Sequence, residues 1–430
     1  MNCNGMVRFA TVGAALVGML VAMPALAGEN GGKSVAGGKS LAESVSQTMS
    51  FWTLERMQQA KPMPLPKIVV DPATEAQLQQ EKQLPMGEPG VIPGWDPGSG
   101  LPQPEPKVIT LGKNGKAAPQ TTQGAQPQYA SPPGSPPANP VDFAGYGPFQ
   151  RWTHFGNYLA YPRSVIGKLF FKKPNGYTYV CTGTVVNRST IITAGHCVSD
   201  GNGTYYSNFL FCPSYYKGSG SGSPHPSRGC WTGIYVKAST AYHTNGNIDR
   251  DYACIVTAST GTVHNAKIGD ITGWAGISVN GSTRYMTMSF GYPAESPFYG
   301  YNIIQVAGVE WYEVNMRASD GNKSKYMGND MKGGSSGGPW MLNWEHRNSS
   351  IVVPPLSGAN TTYIDPFAGT TYPRVNGVNS HKRCMSSCGT PTSSSGTYNW
   401  EMGSPQFTYS SSDNDDVGDV LNACFNNGGS

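Results

Sequence analysis

From about Val141 onward the chain is built of short apolar runs separated by Gly, Asn, Ser and Pro clusters, the rhythm of successive antiparallel strands. Candidate strands are Ser164 to Phe171, Tyr179 to Val186, Thr190 to Ala194, Gly233 to Lys237, Tyr252 to Thr257, Arg284 to Phe290, Ile303 to Val314 and Ile351 to Val353. Neither βαβ alternation nor an internal repeat is visible, which disfavours a doubly wound sheet. Two stretches read otherwise. Leu41, Val45, Met49 and Trp52 recur near helical spacing, which fits one short amphipathic helix or a loosely ordered pro-segment. At the far end, Asp413 to Asp416 supply capping carboxylates, and Val417, Val420, Leu421 and Cys424 then share a helical face. The acidic run lacks the alternating ligands and Gly of a calcium loop, so capping is the better reading.

Residues 61–140 break the pattern, holding 18 of the 34 prolines among repeated Gln, Gly and Ser. Such a stretch cannot bury enough apolar surface to offset its ordering entropy, and it reads as an extended, largely disordered linker or propeptide. Near the N-terminus, Arg8 precedes an uncharged apolar run from Phe9 to Val21 and then Ala25-Leu26-Ala27, the small-x-small pattern of a signal peptide. The expected division is therefore a signal peptide over 1–27, a Pro/Gln/Gly-rich propeptide or linker over 28–140, and a β-rich domain over 141–430. The last is long enough for one large β domain or two small barrels sharing a core.

Cysteine usage agrees with export. Cys3 would leave with the signal, and Cys181, Cys197, Cys212, Cys230, Cys254, Cys384, Cys388 and Cys424 remain as an even set. They show no paired C-x2-C spacing, so disulfides are favoured over zinc and no metal is expected. Cys212 with Cys230 and Cys384 with Cys388 are pairings by proximity, leaving Cys254 with Cys424, although other connectivities stay open. The formal net charge is +4 and no Lys/Arg cluster interleaves with aromatics, so neither nucleic acid nor an anionic membrane is an expected partner.

Candidate chemistry sits in three separated segments. Thr193-Ala194-Gly195-His196-Cys197 follows an apolar strand, and Cys197 can pin the loop to Cys181, sixteen positions earlier, giving His196 the rigid placement a general base needs. In Asp249-Arg250-Asp251-Tyr252-Ala253-Cys254, an Asp at the start of a buried strand can orient an imidazole; Asp251 is preferred because it abuts the apolar segment, with Asp249 as fallback. In Gly333-Gly334-Ser335-Ser336-Gly337-Gly338-Pro339, the glycines let the backbone approach a substrate and turn the Gly334 and Ser336 amides toward one point, beside the Ser336 hydroxyl.

With Cys181-Thr182-Gly183-Thr184-Val185-Val186, Gly291-Tyr292-Pro293 and Asn376-Gly377-Val378-Asn379-Ser380, these segments make residues from about Tyr161 onward resemble the trypsin/chymotrypsin family, especially its bacterial glutamyl-endopeptidase-like branch. The resemblance covers roughly two thirds of the chain. It implies an all-β fold of two perpendicular six-stranded barrels with a C-terminal helix, and a cleft holding His196 and Asp251 from the first barrel and Ser336 from the second. It also implies a Cys181–Cys197 disulfide, Ser380 at the place that hydrogen-bonds a substrate backbone, and peptide hydrolysis through an acyl-enzyme.

Three departures qualify that implication. Ser335 stands where trypsin-like enzymes carry the Asp that pairs with a freed N-terminus, so any propeptide removal would act through another trigger. Lys332 replaces a pocket-bracing Cys. Asp330 lies six before Ser336, where it would select Arg or Lys; pairing with Lys332 or solvent is the other reading, and His381 or Lys382 beside Ser380 would favour an acidic residue, so specificity stays unassigned.

The resulting expectation is a secreted, extracellular or periplasmic, serine endopeptidase made as a zymogen, a monomer without cofactor that acts on protein or peptide substrates. Two alternatives compete with it. An α/β-hydrolase esterase or lipase also uses G-x-S-x-G around its Ser, but needs the acid and His after it. A non-catalytic binding or adhesion protein on the same scaffold would not need His, Asp and Ser together.

Overall fold

The computed structural model describes residues 37–70, 90–99, 103, 149–152, 158–217, 221–281, 285–310, 312–314, 322–344, 372–385, 401–410 and 413–428. Six strands, β1 (Ile166–Lys172), β2 (Thr178–Asn187), β3 (Thr190–Thr193), β4 (Ser207–Pro213), β5 (Trp231–Ala238) and β6 (Ala253–Thr257), form a continuous antiparallel circuit. It runs β1–β2–β3–β6–β5–β4 and closes where Gly167 to Lys172 pairs with Ser207 to Pro213. Closure leaves these strands no free edge, and Val185, Ile191, Ile255, Phe170 and Phe211 are all essentially inaccessible.

The second half is built from β7 (Gly276–Val279), β8 (Met286–Gly291), β9 (Ile304–Val309), β10 (Tyr312–Val314), β11 (Ser324–Gly328), β12 (Pro339–Leu342), β13 (Arg374–Val378), β14 (Lys382–Met385) and β15 (Glu401–Pro405). Strands β7, β13, β12, β8 and β9 lie side by side in that order, while β10, β11 and β15 form a separate ribbon. The apolar run Ile303 to Val314 thus splits into β9 and β10 at Glu310, a fully buried carboxylate that takes a hydrogen bond from Lys325 Nζ at 3.0 Å. The candidate strand Ile351 to Val353 lies outside the described residues.

The C-terminal helix is capped as its sequence predicts. In α3 (Val417–Gly428), Asp416 Oδ1 accepts the Asp419 N–H at 3.0 Å, and Val417, Val420, Leu421 and Cys424 are buried. Disulfides join Cys181 to Cys197, Cys212 to Cys230 and Cys254 to Cys424, the last tying β6 to α3. The pairing of Cys384 with Cys388 lies outside the described side chains.

Parts of the Pro-rich region are extended, and they pair with strands of both halves. Helix α1 (Val45–Phe51) is closed at its start by a Ser44/Gln47 capping box, and α2 (Leu54–Gln59) follows. Leu41, Val45 and Met49 are half-buried, while Trp52 is buried against Phe170 and donates its indole N–H to the Asn208 carbonyl at 2.6 Å. Lys61–Pro62 runs parallel to β2 and Lys67–Val70 parallel to β14; Gly90–Ile92 pairs with β7 and Phe149–Trp152 with β9, both antiparallel. Among the described residues no helix is long and apolar enough to cross a membrane.

Candidate active site

His196 sits in a single 3-10 turn, Gly195–Cys197, directly after β3, and the Cys181–Cys197 bond fastens that turn to β2. Asp251 closes another 3-10 turn, Ile248–Arg250, one residue before Tyr252 leads into β6. Antiparallel pairing of β3 with β6 brings the two turns to one end of the barrel, with Ala253 opposite Thr193. The carboxylate then holds the histidine twice: Oδ1 accepts the His196 backbone N–H at 2.7 Å, and Oδ2 lies 2.7 Å from Nδ1. Asp249, the fallback acid, is also fully buried, but it accepts from Ser324 Oγ at 2.6 Å.

The Ser336 loop is fixed against the same neighbourhood from the second half. Thr182, next to Cys181, donates its N–H to the Ser336 carbonyl at 2.7 Å and its hydroxyl to the Gly334 carbonyl at 3.0 Å. A continuous path therefore links the His196 and Ser336 turns, from His196 through the Cys197–Cys181 bridge to Thr182 and the Ser336 carbonyl. Gly337 donates to the Asn379 carbonyl at 2.7 Å with φ +79°, and a Cβ there would stand 2.0 Å from Thr193 Oγ1, so only glycine fits. Ser336 is inaccessible and His196 nearly so; neither Ser336 Oγ nor His196 Nε2 has a hydrogen-bond partner among the described residues.

Ser380 is buried with its hydroxyl committed to Asp251 Oδ2 at 2.5 Å and its N–H to the Gly403 carbonyl at 3.0 Å. Since its single proton goes to the carboxylate, Ser380 Oγ accepts from His381 Nδ1 at 2.9 Å. His381 Nε2 in turn accepts from the Tyr326 hydroxyl at 2.9 Å. Burial pushes the His381 imidazole down to about 3, against the pull of the Asp251 charge. Asp330 is paired with Arg151 of the Phe149–Trp152 strand rather than with Lys332, whose Nζ donates to the Ser296 carbonyl at 2.6 Å. Burial pushes the Asp330 carboxyl up while Arg151 pulls it down, and burial lowers Lys382 to about 7, its Nζ donating to the Asn329 carbonyl at 2.7 Å.

Residues 156–345 match the family model described as Trypsin. The chain carries a trypsin-family domain. The chain is also similar to "Extracellular metalloprotease" of Bacillus subtilis (strain 168), at 24% identity over 214 residues, 49% of this chain. It spans 61% of that relative's length. Among solved structures it is similar to the protease Anisep from Arthrobacter nicotinovorans, at 31% identity over 56% of this chain and 90% of that one, with a TM-score of 0.41. It is likewise similar to the thermostable serine protease AL20 from an extremophilic microorganism, at 25% identity over 61% and 96%, with a TM-score of 0.42.

A metal does not fit the cluster around His196. Among the described residues, the one group of three metal-type ligands is Cys181, His196 and Cys197. Its two sulfurs are bonded to each other, and Asp251 takes the Nδ1 side of the histidine.

Thr182 and Asn379, both within the sequence motifs, brace the Ser336 turn. Asn379 accepts from Ser289 and Trp340 through Oδ1 and donates to the Phe290 and Ser335 carbonyls through Nδ2. Polar residues at strand ends carry no sequence signal for such bracing. Arg151, near the start of the β-rich region, carried none either.

Proposed function

We propose that this trypsin-family chain is an exported serine endopeptidase, with His196 as general base, Asp251 as its orienting carboxylate and Ser336 as nucleophile. The observation that carries the reading is the double hold of Asp251 on His196. With Nδ1 engaged at 2.7 Å, the neutral imidazole presents the lone pair of Nε2, and in the glycine-rich turn the buried hydroxyl of Ser336, like that of its neighbour Ser335, has no hydrogen-bond partner among the described residues.

In this mechanism Nε2 takes the Ser336 proton as Oγ attacks a peptide carbonyl carbon. The carbonyl oxygen becomes an oxyanion between the Gly334 and Ser336 amides, and Asp251 stabilises the imidazolium. The C–N bond then breaks as the imidazolium protonates the leaving amine, giving an acyl-enzyme. Water, deprotonated by the same nitrogen, attacks the ester carbon, and the proton returns to Ser336 Oγ as the acid departs. Export is supported by three disulfides. Asp330, already paired with Arg151, is not a free anion for a basic side chain.

The reading is tested by labelling with a fluorophosphonate alongside hydrolysis of a peptide library. Label on Ser336, with labelling and hydrolysis both lost by at least about 10⁴-fold in Ser336→Ala, is the expected result. Hydrolysis that survives Ser336→Ala overturns it.

A further inference from the structure

Proline occupies every second position in Lys61-Pro62-Met63-Pro64-Leu65-Pro66-Lys67. Each ring fixes its own φ and drives the preceding residue into extended backbone, so this stretch loses little freedom when laid along a groove. The structure lays it there. Met63 donates its N–H to the Val180 carbonyl at 2.9 Å and accepts the Gly334 N–H on its own carbonyl at 2.9 Å; three residues on, the Pro66 carbonyl accepts the Lys382 N–H at 2.8 Å.

Those three contacts fall on the three parts of the candidate site. Val180 adjoins Cys181, which holds the His196 turn; Gly334 is two residues before Ser336; Lys382 is two residues after Ser380, the residue bonded to Asp251. Leu65 is 7% exposed and belongs to the apolar cluster of Met331, Met327, Trp340 and Met402, while Met63, also 7% exposed, joins the main core. The inaccessibility of Ser336 agrees with this cover.

We propose that Lys61 to Val70 is a built-in inhibitor: an extended, proline-alternating peptide held in the substrate groove, with the Met63 carbonyl on the Gly334 amide that a substrate oxyanion would need. The inhibitory consequence rests on the peptidase reading; the occupation of the groove does not. The Met63–Pro64 bond is a poor bond to cut, because its nitrogen is tertiary and the adjoining ring restricts the approach. Both flanking pairings are parallel, to β2 at Tyr179–Val180 and to β14 from Lys382. Upstream, Trp52 on Phe170 and Gln58 Nε2 on Ser221 Oγ at 2.8 Å tether the segment, so it competes at a high effective concentration. Freeing the cleft then requires cutting the chain or loosening this anchor, which replaces the ion-pair trigger that Ser335 does not supply.

The test compares the full chain with its Pro64→Gly/Leu65→Glu variant, following fluorophosphonate labelling of Ser336 and hydrogen exchange in peptides containing Gly334 and Lys382. Expected are labelling and exchange faster by at least about tenfold in the variant, both slowed again by adding a synthetic peptide of residues 61–70 but not its Leu65→Glu form. Equal labelling and equal exchange in the two folded proteins overturn the proposal. Faster exchange with no labelling of either protein upholds the hold on the groove and counts against the peptidase reading instead. Should the double variant not fold, Trp52→Ala, which weakens the tether outside the cleft, is read by the same two measurements.

Discussion

Asp251 is fully buried, and the charge on its carboxylate is tolerated because three donors converge on it: the His196 amide, the His196 ring and the Ser380 hydroxyl. The Ser380 proton is oriented by His381, and His381 by Tyr326, so a neutral imidazole lies at the centre of the polar chain. His381 faces Asp251, His196, Arg383 and Lys382, and burial is the dominant influence on it. Its folded value, about 3, lies below the ordinary 6.5 or so, so the unfolded chain takes up a proton that the folded one refuses. The stability this histidine confers is complete above that ordinary value and is lost as pH falls toward its folded value, with a slope of up to about 1.4 kcal/mol per pH unit. His381→Gln retains one donor and one acceptor without the titration. Its thermal midpoint should therefore fall less than that of the wild type between pH 6 and pH 4; parallel declines would show that another group sets the acid limit.

At the scale of elements, the site depends on loops from two sheets being locked together, and Thr182 is the lock. Its hydroxyl donates to the Gly334 carbonyl at 3.0 Å and accepts the Tyr292 N–H at 2.9 Å, all in buried surroundings. Thr182→Val leaves both backbone groups unpaired at a cost of about 1–3 kcal/mol each and releases the turn bearing Gly334 and Ser336. A lower thermal midpoint together with slower Ser336 labelling is expected, with both restored in Thr182→Ser; a valine variant that labels at the wild-type rate would remove Thr182 from the positioning machinery. The strands carrying these loops were legible, since β1, β2, β3, β6 and β8 lie within a residue or two of their apolar runs. Strands β4, β12, β13 and β15 were not separately anticipated, because Ser207–Pro213 or Glu401–Pro405 gain strand structure from neighbours rather than from their own pattern. His196, Asp251 and Ser336 stand out in the sequence because motif and order single them out, and the double hold of Asp251 on His196 supports the roles proposed for them. The Lys61–Pro62 and Lys67–Val70 pairings could not, because prolines weaken every local strand signal and the partner edges lie far along the chain.

Across the whole molecule, the C-terminal segment braces the turn bearing Asp251 from behind. Helix α3 sets Val417, Val420 and Leu421 into the core and is bonded covalently to β6 through Cys254–Cys424, a bridge spanning 170 residues. Just before the helix, the Asp415 carbonyl accepts from Arg250 at 3.0 Å and from the Tyr252 hydroxyl at 2.9 Å, the two residues flanking Asp251, while Asp413 pairs with Arg250 at 2.6 Å. The disulfide thus serves a local function as well as a global one: it keeps the segment that holds Arg250 and Tyr252 seated against the turn bearing Asp251. Cys254→Ala/Cys424→Ala should cost about 2–5 kcal/mol in denaturant unfolding. If the brace is real, native-state hydrogen exchange should rise most in α3 and in Ile248 to Tyr252, while the Ser336 turn, held from Thr182 and Asn379, stays protected. Exchange rising equally in both regions would mean that the bridge stabilises the fold without bracing Asp251.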